Sequence, residues 1–557
     1  MLKKLPLAIG STDYKKICHS SYYVDKTLFI KDLLDEGTDI VLLTRPRRFG
    51  KTLNMDMLRT FFEKTEEDTS KYFIDKKIWA QGAEYIQHQG KYPVIFLSLK
   101  DIKSSSWEIS FELLKNVICT EYARHKELAV SKKITGADAS FYQKIVNDNA
   151  NEAAYMLSLQ ALSRMLHAHY AKAPVIIIDE YDTPIQEGYV NGYYAKAVEF
   201  IRNFFSAALK DNPHTTLCVL TGILRIAKES IFSGLNNIRV YSVLDRKFSS
   251  YFGFTSDEVQ AMAEYYEASE KVSELKKWYD GYKFGRTEIF NPWSVLNYFS
   301  HDCQAMPFWV QTSGNAVIAD ILKNVNKTTC DSLRALLNGE IVESVIETNI
   351  IYPRLREPQT NIFGFLLMTG YLKSLQTTLD EDGAYVCQLS IPNKELKSIY
   401  RKEILALLTK NIGEDIVHDL RQALLHKDAA ALKQALRKFL LETISYYDGL
   451  KENYYHGLLL GMTVIFAADY YPLSNRESGE GRFDIQLTPK IDNMPGIIIE
   501  IKAVRDASKE QLQALAQEAL EQIESKHYDA MLASQGVQSI YKYGIAFCAK
   551  KVEIAVN

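Results

Sequence analysis

Four short apolar runs recur in the first half of the chain: DIVLLT (Asp39 to Thr44), VIFLSL (Val94 to Leu99), PVIIID (Pro174 to Asp179) and TTLCVLTG (Thr215 to Gly222). Each is too short for a packed helix and has no alternation of apolar and polar positions, which predicts strands buried on both faces of a parallel sheet. Helical periodicity fills the gaps, in LNMDMLRTFFEK after the first run and AAYMLSLQALSRMLHAHY before the third. Strand and helix therefore alternate, and the expectation is a doubly wound α/β domain over residues 1–255.

From Ser256 the pattern changes to helices joined by aromatic connections, KKWYDGYKFG (Lys276 to Gly285) and FNPWSVLNYF (Phe290 to Phe299), which predicts a helical lid over 256–345. Residues 346–435 read as an apolar helix (FGFLLMTGYL), two strands across the turn LDEDGAY, and a helix capped near Asn393, the order of a winged-helix-like unit with a helical linker. From 436 to 557 the order is helix, strand, Gly-rich turn, strand, helix and final strand, a second α/β domain.

Composition narrows the class. A chain of 557 residues is too long for one core, and 47% hydrophobic with 24% charged residues is ordinary globular usage, so several domains and folding throughout are expected. The net charge of −3 means that any nucleic acid must be held by local basic surfaces. Seven cysteines, none in a CxxC pair, argue against a zinc site or a disulfide framework. The N-terminus has no signal-peptide pattern and no later run reaches the length of a membrane span, so a cytoplasmic protein with no membrane contact is expected.

The chemistry is concentrated at two places. The first strand ends in TRPRRFGKT, with Gly50, Lys51 and Thr52 directly before a helix. Backbone N–H groups of Arg47, Arg48, Phe49 and Gly50 can cradle phosphate oxygens there, Lys51 can neutralise the β and γ phosphates, and the Thr52 hydroxyl can hold Mg²⁺. Arg45 stands where the usual pattern has its first glycine, and a basic turn capping a helix is the alternative reading. The third run ends in Asp179 and Glu180, the place of a Walker B pair: Asp179 as a metal partner, Glu180 as the group that orients or deprotonates the attacking water. An acidic loop after a buried strand is the alternative. Thr221, at the end of the fourth run, stands where a polar sensor belongs. Arg225 follows it and could contact phosphate in cis or reach a neighbouring subunit of a homo-oligomer, or could be a surface residue.

In the last domain SGEGRFD places Asp484 in a strand, and the next strand, GIIIEIK, carries Glu500 and Lys502 on one face by alternation. Two carboxylates for a divalent metal (Mg²⁺ or Mn²⁺) and a lysine beside them suit hydrolysis of a phosphodiester. Charges inside an apolar strand also imply a mutual ion pair or a ligand. Glu452, upstream, is either a further metal carboxylate or a helix N-terminal Glu favoured by the macrodipole. His456 reads as a packed or surface histidine. Gln522 and Tyr528 follow on the helix EQLQALAQEALEQIESKHY, as accessory groups or as its polar flank and aromatic cap.

YYVDKT (Tyr22 to Thr27), RPRRFGKT, IIIDEYDTPI, WYDGY, FNPWS and TSGN (Thr312 to Asn315) together resemble the bacterial AAA-ATPase-like family, of which RPRRFGKT is the phosphate loop. The resemblance implies a P-loop NTPase fold of the ASCE kind, with ATP as the nucleotide. ESGEGRFD followed by IIIEIK resembles the PD-(D/E)XK nuclease domain that accompanies it, and the last helix resembles the one bearing a Gln and Tyr pair in RecB-like nucleases. What this implies is ATP-regulated cleavage of nucleic acid, DNA or RNA with DNA favoured, in defence or mobile-element biology. The alternative is a nucleotide-driven switch whose nuclease-like domain binds without cutting. WYDGY and FNPWS read as packing anchors of the lid.

Overall fold

The computed structural model describes residues 4–226, 237–309, 339–348, 362–398, 414–443 and 469–557 except 492, with scattered positions between these spans. The motif TSGN and Glu452 lie outside the described residues. The chain forms two compact units, Met1–Lys397 and Ser398–Asn557.

The first unit is built on a five-stranded sheet of β1 (Ile40–Thr44), β2 (Val94–Ser98), β3 (Val175–Asp179), β4 (Leu217–Gly222) and β5 (Ile238–Tyr241). The order is β2-β3-β4-β1-β5 and every pairing is parallel. The four apolar runs supply the first four strands, and β1, β3 and β4 are buried along their whole length. β5 is the edge strand, half-exposed, and its sequence IRVY has no apolar run to announce it. Register aligns the strand ends: Thr44 lies opposite Gly222, and Ser98 opposite Asp179. The residues read as chemical in the sequence therefore meet along one edge of the sheet, with β4 between the strand that leads into the loop and the strand that ends in Asp179.

Later in this unit come the hairpin β6 (Tyr282–Phe284) and β7 (Thr287–Ile289), then β8 (Val342–Ile346), β9 (Lys373–Leu379) and β10 (Tyr385–Ser390), ordered β8-β10-β9 and antiparallel. Asn393 Oδ1 accepts from the Leu396 amide at 3.0 Å, capping the helix that follows. A small core of Val259, Met262, Leu275, Tyr279, Phe290, Val295 and Tyr298 holds the helices after Ser256 together.

Glu395 is fully buried against that region, accepting from Ser294 Oγ at 2.9 Å and the Trp309 amide at 2.7 Å. Burial raises its carboxyl to about 7. The folded value lies above the unfolded one of about 4.3, so the folded state binds more protons and stability falls as pH rises between the two. Thermal melting of wild type is expected to drop from about pH 5 to about pH 8. Glu395→Gln, which keeps an acceptor and cannot ionise, flattens that slope; an unchanged slope would place the titrating group elsewhere.

The second unit carries β11 (Tyr470–Ser478), β12 (Gly481–Pro489), β13 (Gly496–Ala503), β14 (Ile540–Cys548) and β15 (Lys551–Val556) in sequential order. Among the described pairings of this sheet, that of β13 with β14 alone is parallel, and the helix Lys509–Ser525 makes their crossover. Gly544 permits this crossover to pack tightly, since a Cβ there would lie 2.1 Å from Ala516 O. No described helix of the chain is long and apolar enough to cross a membrane.

Candidate functional site

The loop between β1 and the helix Lys51–Phe62 turns on Gly50, whose φ of 81° is left-handed and free of Cβ strain. The Lys51 ammonium, 4% exposed, donates to Pro46 O at 2.9 Å and Arg45 O at 3.1 Å. Burial lowers its pKa, opposed by the carboxylates of Glu180 and Asp179. The lysine thus sits under the loop, bound to carbonyls that phosphate oxygens can replace.

Arg45, in the place of the missing glycine, faces away from this pocket into the core. It is fully buried, donates to Thr44 O and Tyr241 O at 2.8 Å, and lies over the rings of Phe252 and Phe284. Burial holds its guanidinium down to about 10. Its work is to anchor the loop to β5 and the segment behind it. Phe49, also fully buried, packs edge-on against Tyr282 at 4.9 Å, so WYDGY braces the loop from its outer side.

Beneath the loop, three side chains converge. Thr52 Oγ1 donates to Asp179 Oδ2 at 2.7 Å and Thr221 Oγ1 donates to Asp179 Oδ1 at 2.7 Å. Burial raises the Asp179 carboxyl above the usual range, against the pull of these two hydroxyls. Glu180 turns out of the strand with φ of 52°, and Arg48 holds φ of 70°. Left-handed backbone at non-glycine residues costs of order 1–3 kcal/mol each and persists where surrounding structure dictates it. The next two residues of DEYD are structural: Asp182 accepts from the amides of Ile223 and Leu224, and Tyr181 donates to Leu224 O and accepts from the Ile226 amide. They fix the chain that leaves Thr221 and leads to Arg225.

A cavity of about 380 Å³ opens over the loop. Arg47, Arg48, Phe49, Gly50, Lys51, Thr52 and Glu180 line it, with Lys100 and Lys103 from the segment after β2. Arg225 is not among the described residues that line it. Arg47 donates to Gln186 Oε1 at 3.0 Å, and Arg48 lies over the Trp293 ring at 4.1 Å. Trp293, Tyr22 and Tyr23 also line the cavity, and the site read from sequence has no place for them. The only sequence signal for Trp293 is an indole beside Pro292 at a helix start, which equally describes a packing residue. Asp25 of YYVDKT is a stitch, accepting from Thr27 and from the Lys77 amide.

In the second unit, β12 and β13 pair at Ile485 with Ile499, which sets Asp484 opposite Glu500. The ladder opens there, and Asp484 Oδ2 accepts from the Ile501 amide at 2.8 Å. Glu500 is 4% exposed. Lys502 Nζ lies 3.8 Å from Glu500 Oε1, on the same face as alternation requires. Gln522 joins them: it accepts from Lys502 Nζ at 2.6 Å, donates to Glu500 Oε1 at 2.6 Å, and its amide lies 3.1 Å from Tyr528 Oη. Burial raises the Asp484 carboxyl, against the Ile501 amide and the nearby His456 and Lys502. His456 is a packed histidine, buried and donating from Nε2 to the backbone carbonyl of Asp484 at 3.0 Å.

Two carboxylate groups suit an oxygen-liganded divalent cation that keeps several waters. Among the described residues no group of three or more His, Cys, Asp or Glu is placed to cage a metal ion. The donor set, two carboxylates beside a lysine, fits an open divalent-ion site and not a closed structural one.

The strand order, the loop and the Asp179 cluster define the first unit as carrying a P-loop NTPase domain of the ASCE kind, and the second unit is an α/β domain with a carboxylate and lysine site. Residues 8–232 match the family model described as predicted AAA-ATPase, and residues 450–557 match that of the PD-(D/E)XK nuclease superfamily. The chain therefore joins an AAA-ATPase-like domain to a PD-(D/E)XK nuclease-superfamily domain. An uncharacterized protein in the vnfD 5' region of Azotobacter chroococcum mcd 1 is 25% identical over 480 residues, covering 84% of this chain and 79% of that one.

Proposed function

We propose that this chain binds and hydrolyses ATP in its first unit and cuts nucleic acid, DNA in preference to RNA, in its second, with nucleotide controlling the cut. The observation that carries the reading is the convergence of Thr52 and Thr221 on Asp179 under a loop whose lysine is held by exchangeable carbonyl partners. In that reading Lys51 neutralises the phosphates, Asp179 and Thr52 hold the Mg²⁺ that accompanies ATP, and Glu180 accepts the proton of the attacking water. Thr221 fixes the Asp179 carboxylate by hydrogen bond. Arg225, which does not line the cavity over the loop, would serve as an arginine finger toward a neighbouring copy.

In the second unit Asp484 and Glu500 would hold a divalent ion. When bound, such an ion supplies Lewis acidity and a water of lowered pKa. Lys502 stabilises negative charge developing on the scissile phosphate, and Gln522 with Tyr528 keeps Lys502 and Glu500 in register. The test is cleavage of a panel of single- and double-stranded DNA and RNA by the full chain with Mg²⁺ or Mn²⁺, with and without ATP. Metal-dependent cutting that changes with ATP is expected. Cutting indifferent to ATP removes the control, and intact ATP turnover with no cutting on any substrate replaces the nuclease by a nucleotide-driven switch.

A further inference from the structure

The cavity over the phosphate loop is lined by two unlike sets of side chains. One is the cationic, N–H-rich loop around Lys51 and Arg48. The other is apolar and aromatic: Tyr22, Val24, Phe254, Trp293 and Leu296 line it, and the same five residues form part of the half-buried shell of the small core behind the loop. Aromatic and aliphatic side chains left half-exposed together on a concave wall face a ligand surface that is itself flat and apolar. A cavity of about 380 Å³ lined by cationic and aromatic side chains suits a nucleoside triphosphate, phosphates at the loop and base against the aromatic side chains.

We infer that Trp293, with Tyr22 and Phe254, forms a base-stacking subsite for a purine nucleotide, and that Trp293 is the residue that makes the site read a base as well as phosphate. The inference rests on the proposed nucleotide reading of the loop. The Trp293 indole is held in position from three sides. Its Nε1 donates to Phe308 O at 3.3 Å, its helix is capped by Asn291 through the Trp293 and Ser294 amides, and Gly10 approaches its ring with space for a Cβ at 3.7 Å. Arg48 lies over one face of the indole at 4.1 Å, so a base that stacks on that face takes the guanidinium's place and leaves it to the phosphates. Stacking on an aromatic ring is tolerant of sequence but scales with overlap, so a two-ring base gains more than a one-ring base.

The experiment is equilibrium binding of ATP, GTP, CTP and inorganic tripolyphosphate, each with Mg²⁺, to the full chain and to Trp293→Ala and Trp293→Phe. Wild type is expected to bind ATP and GTP at least about tenfold more tightly than CTP or tripolyphosphate. Trp293→Ala brings the purine nucleotides to the level of tripolyphosphate while tripolyphosphate binding stays as in wild type, which also shows that the loop remains folded. Trp293→Phe, which keeps a ring, restores most of the difference. A wild-type ratio of ATP to tripolyphosphate in Trp293→Ala overturns the inference, because the base then lies elsewhere. Equal weakening of ATP and tripolyphosphate overturns it too, because Trp293 then acts only by holding Arg48 and the loop. Failure of wild type to bind any of the four removes the nucleotide reading itself, an outcome distinct from both.

Discussion

Lys51→Ala is expected to lose ATP turnover by about a hundredfold or more, together with ATP binding, the scale seen on removal of a single preorganised charge or donor from a reacting centre. The Lys51 ammonium is held beneath the loop, its partners are two loop carbonyls, and its charge faces Glu180 and Asp179. Removing it leaves Pro46 O and Arg45 O without that donor, so a loss of activity alone could reflect a displaced loop. Glu180→Gln separates the two explanations. Glu180 is partly exposed at the cavity wall, and its backbone amide lies 3.4 Å from Thr221 Oγ1, a contact the amide side chain leaves intact. The variant is therefore expected to bind ATP as wild type does and to fail at turnover by about 100-fold or more, the range of a positioned general base. ATP hydrolysis surviving in both variants would place the chemistry outside this loop; loss of binding in Glu180→Gln would make Glu180 part of the nucleotide cradle and not the base.

How much of the fold and site is legible in the sequence depends on the range of the interactions. β1 to β4 can be read because strands buried on both faces of a parallel sheet are continuous apolar runs. β5 cannot, because an edge strand four residues long with half-exposed side chains has no such run. Gly50, Lys51 and Thr52 can be singled out because they open the helix that follows β1, and Asp179 and Glu180 because they stand at the end of β3. Arg45 looks like a defect in the loop pattern, and only the fold shows its side chain reaching Tyr241 O, 196 residues away. Trp293 and Tyr282 read as packing residues, and what they pack against is the loop itself, through Arg48 and Phe49. In the second unit, alternation alone puts Glu500 beside Lys502, and the acidic residue two positions before the lysine marks the strand. His456 reads as packing and is buried, but its particular partner, Asp484 O 28 residues away, is one that no local pattern encodes.

Lys502→Ala is expected to lose metal-dependent cleavage by about a hundredfold or more, since a cation beside the scissile phosphate acts on charge that exists only in the transition state. Gln522→Ala should cost less, about 10- to 100-fold, the range of groups that orient others without touching the reacting atoms. The ordering follows from the hydrogen bonds: Gln522 accepts from Lys502 and donates to Glu500, so its loss frees both side chains to move without removing either charge. Tyr528→Phe deletes one partner of the Gln522 amide and leaves those two bonds standing, so an effect smaller than that of Gln522→Ala is expected. The assay is cleavage rate against Mg²⁺ concentration for the three variants and wild type. Lys502→Ala should lower the maximal rate with little change in the metal midpoint, whereas Gln522→Ala should raise the midpoint as well, because a loosened Glu500 holds an ion less well. Equal loss in Lys502→Ala and Tyr528→Phe would mean that the cluster serves only to pack the helix Lys509–Ser525 on the sheet, and the cleaving site would have to be sought elsewhere.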